Sequence, residues 1–360
     1  MKKLSILYVT TNDFTKNNDG GAAGSKRVYE VLRKFADVTP FMINKKSNIQ
    51  SLMSLIQGHY PPLNNNYIKD ALKLADTNNY DWVYFENSAN GNLLEIFKKK
   101  GYKTSVFFNN CESDYNDVRF SKGGLKKTIY GWLIRKSERK SIELADYRIA
   151  LSSRDADRLE ELYGVKVDKL LPLTLADECS DRMNTESIPD NVLLFGPVGS
   201  ANLEGFSWFV KNVSPYIDCK TIVAGKGFEA YKEEWETDKV KVIGFVDKKE
   251  DAYNMASMVA IPLLSGGGMK IKTAEALMYG KYIFGTDEAF SGYALDYNAV
   301  GGLCNSIEDF INCINSYIKD DEKKYNDYSR NAYLRNYSNE SSVSIMRDII
   351  QEMGFSEYLE

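Results

Sequence analysis

The chain has 360 residues, enough for two domains with separate cores. Hydrophobic residues at 43% and charged residues at 27% are the proportions of a globular protein, and they exclude a disordered, collagenous or coiled-coil chain. With 46 basic and 50 acidic residues the net charge is -4, which speaks against general nucleic-acid binding, and no run approaches the roughly 18 apolar residues of a membrane-spanning helix.

The opening MKKLSILYVTTND carries one short apolar run with no small-residue cleavage site after it. It reads as a buried strand over Ser5–Thr10, not a signal peptide. A turn at Gly20 and Gly21 leads into a helix over Ala22–Phe35. Strands follow at Val38–Ile43, Trp82–Phe85, Thr104–Phe108 and Tyr147–Leu151, with helices near 66–78, 90–100, 123–145 and 153–163. The stretch 173–190 has two prolines nearby, many acids and little periodicity, and reads as a linker. The alternation then restarts, with strands at Val192–Phe195, Lys220–Ala224, Val240–Ile243, Met258–Pro262 and Tyr282–Gly285. Helices are expected over 202–213 and 269–279 and through most of the last 55 residues. Strands alternating with helices of this length predict βαβ units. The fold class is therefore α/β, with two doubly wound parallel-sheet halves, 1–172 and 191–335, and a terminal amphipathic stretch over 336–360. Ligands of such sheets bind outside the carboxyl ends of the strands.

The five cysteines form no C-x-x-C pair, which suits a reducing compartment, and the single histidine, His59, excludes sites that need several imidazoles. His59 lies in GHYPPL and reads as a surface residue of a turn. Asp155-Ala156-Asp157 follows Ser152, so these acids read as a helix start and not as a metal site. Residues 119–140 hold eight Lys and Arg against the one acid Glu138, with Leu125, Ile129, Trp132 and Leu133 at helical spacing. That pattern suits either packing on the sheet or contact with an anionic membrane surface.

The most informative stretch is IPLLSGGGMKIKTAEALMYGKYIFGTDEAFSGY, 261–293. Gly266, Gly267 and Gly268 bare their backbone N–H groups where a helix begins, a natural seat for a diphosphate. Lys270 and Lys272 oppose the helix dipole there, which makes sense if an anion sits among them. Glu275, one turn on, is placed to accept from a ribose diol.

With Ala276, Gly280, Thr286, Ala289 and Gly292, these residues resemble the donor-binding signature of GT-B glycosyltransferases of the group 1, GT4-like family. The rest of the chain is similar in order. Gly20-Gly21 resembles the family's first glycine turn, Asn109-Asn110-Cys111-Glu112 its H-N-x-E segment, and LLFGPVGSANLEG, with Gly199, the first turn of its second domain. The resemblance implies a GT-B fold, an N-terminal acceptor-binding domain and a C-terminal helix that crosses back to it. It implies a retaining transferase that moves a sugar from a nucleotide-sugar donor to a saccharide or lipid-linked saccharide, in cell-surface polysaccharide synthesis, without metal or other cofactor and without nucleic acid. The implied donor-binding residues are Gly20, Gly21, Gly199, Gly266, Gly267, Gly268, Lys270, Lys272 and Glu275. The implied catalytic residues are Asn109, Glu112 and Lys272. The implied location is cytoplasmic, peripheral on the inner face of a membrane. Two departures, Gly267 at a family glutamate and Asn109 at its histidine, leave a non-catalytic chain that binds a glycan or a partner as the alternative.

Overall fold

A computed structural model describes residues 3–16, 20–44, 47–120, 123–179, 188–265, 268–319 and 324–359. The chain divides into two compact units, one of Met1–Pro172 with Ser342–Glu360, the other Leu173–Ser341.

The first unit is built on six strands: β1 Leu4–Thr10, β2 Ala36–Met42, β3 Trp82–Phe85, β4 Lys103–Phe108, β5 Tyr147–Ala150 and β6 Lys169–Leu170. They run parallel in the order β2-β1-β3-β4-β5-β6. The strands are apolar on both faces because helices cover both. Leu7, Val9, Val83, Phe85 and Val106 enter one core, and the alternate residues Ile6, Tyr8, Trp82, Tyr84 and Phe107 enter the other. That second core is completed by Met346, Ile349 and Ile350 of the helix Asn339–Glu352. Lys169 at β6 pairs with Asp348 at 3.2 Å and Glu352 at 2.9 Å of the same helix.

The second unit repeats the plan with β7 Val192–Phe195, β8 Thr221–Ala224, β9 Val240–Gly244, β10 Met258–Ile261, β11 Tyr282–Gly285 and β12 Gly301–Leu303, all parallel, in the order β12-β11-β10-β7-β8-β9. Strand order reverses between β1 and β3 in the first sheet and between β7 and β10 in the second, so each sheet has a crevice at that point.

Most expected elements stand within a residue or two of their predicted positions, and three local readings need correction. Gly20 and Gly21 are not a turn before the helix but its first two residues, in Gly20–Leu32. The helix expected from Met269 begins at Ile271, which leaves Lys270 as the N-cap with extended backbone. His59 is buried, not on the surface: its Nε2 lies 3.0 Å from Asn65 Oδ1 and its Nδ1 2.7 Å from Asn92 Nδ2. Within the stretch expected to be a linker, Leu175 joins a parallel bridge to Ser338 in the second unit.

Candidate functional site

In the second unit the two turns beside the reversal point meet. The turn after β7 runs through Gly196 to Gly199, the N-cap of the helix Ser200–Asn212. The turn after β10 leads to the helix Ile271–Met278. Lys272, in the first turn of the latter, donates from Nζ to Asn202 Oδ1 of the former. Its ammonium also stands 5.0 Å from the centre of the Phe206 ring, a cation–π distance. Burial lowers the Lys272 pKa to about 8. Among the described residues no carboxylate pairs with Lys272; a neutral amide oxygen is what it has.

Glu275 lies one turn further on and is 7% exposed. Its Oε1 takes a 2.9 Å ion pair from Lys249, which also reaches Glu178 at 3.2 Å. Burial raises the Glu275 pKa, and Lys249 offsets part of that rise. Beside it lies the buried hydroxyl of Tyr253, whose pKa burial first, then the Glu275 charge, raises well above the usual value.

Lys270 is committed differently. Its Nζ donates to Glu288 Oε1 at 2.5 Å and to the Gly268 carbonyl at 2.6 Å. Gly268 takes φ +63°, where a side chain would be strained. The downstream Thr and Ala of the motif are scaffolding. Thr286 donates to the Leu263 carbonyl at 2.5 Å, and Thr273 to the Ala289 carbonyl at 2.7 Å, so the turn after β10 is tied to the turn after β11. Gly266 and Gly267 lie outside the described residues.

The other predicted residues stand in the first unit. Asn109, just past β4, donates from Nδ2 to the Glu86 carbonyl at 2.9 Å. Glu112 opens the helix Glu112–Arg119 and accepts from Asn87 Nδ2 at 3.0 Å. Burial, then the nearby Glu138 charge, raises its pKa to about 7. Gly21 offers its carbonyl to Ser25 Oγ at 3.1 Å and Asn12 Nδ2 at 3.4 Å.

Two buried carboxylates that the predicted site leaves out organise this region. Glu86 is 2% exposed and its pKa is raised by burial, against which Ser25, Thr10, Tyr8 and Asn109 hydrogen bonds act. Glu138 is fully buried and accepts from Ser88 Oγ, the Glu112 N–H, the Ser113 N–H and hydroxyl, and Tyr163 OH, at 3.0, 2.8, 3.2, 2.5 and 2.8 Å. It fixes the start of the Glu112 helix. Asp155 accepts from the Cys111 N–H at 3.3 Å, and its own N–H donates to Ser152 Oγ at 3.2 Å, so the D-x-D string is a helix start. No group of metal-ligating side chains occurs among the described residues.

Residues 189–320 match the family model described as Glycosyl transferases group 1. The matched stretch contains Gly199, Lys270, Lys272 and Glu275 together. The whole chain is similar to a sucrose-phosphate synthase of Thermosynechococcus elongatus, at 12% identity and TM-score 0.69 over 98% of this chain and 99% of that one. It is similar to the lipopolysaccharide outer core galactosyltransferase WaaB, at 14% identity and TM-score 0.68 over 97% and 99%. It is also similar to HepE of Anabaena, solved in complex with UDP and glucose, at 12% identity and TM-score 0.59 over 97% and 100%. At these identities the likeness establishes the GT-B fold. No curated protein matches the chain in sequence.

Proposed function

We propose that this protein is a retaining glycosyltransferase that takes a sugar from a nucleotide-sugar donor and places it on a saccharide or lipid-linked saccharide of the cell surface. The observation that carries the reading is Lys272. A desolvated ammonium with a neutral amide for its partner, at the crevice of a doubly wound sheet, suits an anion. A pyrophosphate supplies the missing charge. The Ser200–Asn212 helix, opened by Gly199, adds N–H donors and the positive end of its dipole. Glu275 then stands one turn behind to take the ribose hydroxyls. That HepE was solved with UDP and glucose supports this choice of ligand.

In this reading the domain works by holding the leaving nucleoside diphosphate and stabilising its growing charge as the glycosidic bond breaks. Lys270 joins only when the anion displaces Glu288. Asn109 and Glu112 serve the acceptor in the first unit, with Glu112 able to take or release a proton near neutral pH. No metal enters the scheme.

The test is a thermal-shift screen against UDP-, GDP-, ADP- and TDP-sugars, followed by calorimetry. Lys272→Ala and Glu275→Ala are expected to fold and to lose donor binding. Wild-type affinity in both variants would refute the assignment.

A further inference from the structure

The first unit holds a groove of 860 Å³ between the helices Glu112–Arg119, Leu125–Leu144 and Ser153–Tyr163. That volume is ample for a ligand of several rings. All of its lining residues belong to the first unit, so it is separate from the Lys272 site.

Two aromatic rings wall it, each with a cation over its face. Lys136 Nζ lies 5.1 Å from the centre of the Trp132 ring, and the Arg139 guanidinium 5.6 Å from that of Tyr163. Lys127 and Arg135 complete the positive lining and share Asp117, at 4.0 and 2.8 Å. Among the described residues, the lining thus sets four cations against one carboxylate. Trp132 is 59% exposed, whereas Leu133, which the sequence places on the same stripe, is buried. The indole is therefore not committed to the core.

Behind this lining sits a polar group without a match. Asn116 is 1% exposed, and neither its Nδ2 nor its Oδ1 has a hydrogen-bond partner among the described residues. Such an amide is costly to bury. It stands against Gly131, the lining residue that has no side chain: a Cβ there would lie 3.4 Å from Asn116 Nδ2.

The groove also connects to Glu112. Tyr163 OH donates to Glu138 at 2.8 Å, and the same carboxylate accepts from the Glu112 N–H at 2.8 Å. Asp117, on the opposite wall, lies about 7.5 Å from Glu112 along their common helix.

We infer that this groove holds a carboxylate-bearing saccharide, so that the acceptor is an acidic glycan with its reacting end toward Glu112. The inference rests on the proposed transfer to a saccharide and names the class of that saccharide. The chemistry of the walls selects the occupant. Guanidinium and ammonium groups take sugar carboxylates in charge-assisted hydrogen bonds. The exposed rings take the apolar C–H face of a pyranose, and the Asn116 amide is a match for a ring hydroxyl. A bare phosphate would leave the rings and the amide without a role, and a neutral saccharide would leave the cations without one.

Calorimetry on the full chain, with no donor present, compares trigalacturonic acid with its methyl ester, which keeps the rings and removes the charge. The acid is expected to bind, and the ester to bind about tenfold more weakly or worse. Arg135→Gln with Lys136→Gln, and separately Trp132→Ala, should each weaken the acid about fivefold or more at unchanged melting temperature, because these side chains are exposed. Asn116→Leu should raise the melting temperature and still weaken binding, a combination that a purely structural residue would not give. Equal binding of acid and ester, no binding of the acid, wild-type affinity in either surface variant, or tighter binding to an oligothymidylate or to phosphatidylglycerol vesicles would overturn the inference. Donor binding is read separately. If the acid binds and no nucleotide sugar does, the donor reading falls and the groove stands; the reverse removes the groove alone.

Discussion

The hydroxyl of Thr10, the last residue of β1, donates a 2.5 Å hydrogen bond to Glu86 Oε2, the first residue past β3. The bond spans the point where the first sheet reverses its strand order. In the second sheet Lys272 and Asn202 span the corresponding point. A buried acid thus stands at the first crevice and a buried base at the second.

Glu86 has a raised pKa, so between the unfolded value and the folded one the native state binds more protons than the unfolded chain. Its stabilising share is complete below the unfolded pKa and is lost as pH rises through the folded pKa. Glu86→Gln should remove this slope, so that the variant loses less stability than the wild type as pH rises. Urea denaturation of both proteins from pH 4 to pH 8 measures it; parallel curves would refute it.

Lys272 runs the other way. Its pKa is lowered to about 8, so it costs stability at neutral pH, and the cost fades as pH rises from there toward the unfolded lysine value. Lys272→Met keeps the apolar stem over Phe206 and should raise the stability of the ligand-free protein by about 1–3 kcal/mol, while donor affinity collapses. Above pH 8 the wild type must take up a proton when it binds a nucleotide diphosphate. Calorimetry in two buffers of different ionisation enthalpy should show that uptake, and Lys272→Met should not.

Glu138→Ala orphans five donors in a dry site and should cost about 3–5 kcal/mol. Glu138→Gln should cost less. In either variant the negative charge facing Glu112 is gone, so Glu112 should titrate below its present pKa of about 7, as read by carboxyl NMR. An unmoved Glu112 would mean that burial alone sets its pKa.

Two glycines of one turn and helix should separate fold from ligand. A Cβ on Gly205 would lie 2.2 Å from the Pro262 carbonyl oxygen, so Gly205→Ala must push the helix from β10, with a loss of about 1–3 kcal/mol. A Cβ on Gly199 meets nothing within 4 Å, and its φ of -163° suits any residue. Gly199→Ala should keep its melting temperature and still weaken donor binding, because the ligand must approach that backbone.

The strands were legible because WVYF and VLLF are apolar without alternation, the mark of a sheet covered on both faces. The helix Ile271–Met278 stood out in the sequence because lysines at a helix start contradict the dipole. The helix Asn48–Ile56 escaped; its apolar residues Ile49, Leu52, Met53 and Ile56 are exposed, so it adds nothing to the core that the strand pattern outlines. β6 and β12, two and three residues long, carry no period. His59, Glu86 and Glu138 could not be placed because the partners that bury them lie about 33, 76 and 25–50 residues away, and no local pattern encodes such distances. The same holds for Lys249 on Glu275 and for Glu288 on Lys270.

The helix that seals the first unit's second core follows the whole of the second unit in the chain. On the ribosome, Trp82 and Tyr84 therefore wait uncovered while some 170 further residues are made, and the later-born half can finish maturing before the earlier one. Nascent chains cut short before Ser342 would carry a complete downstream module and an upstream one with a greasy flank for chaperones to recognise.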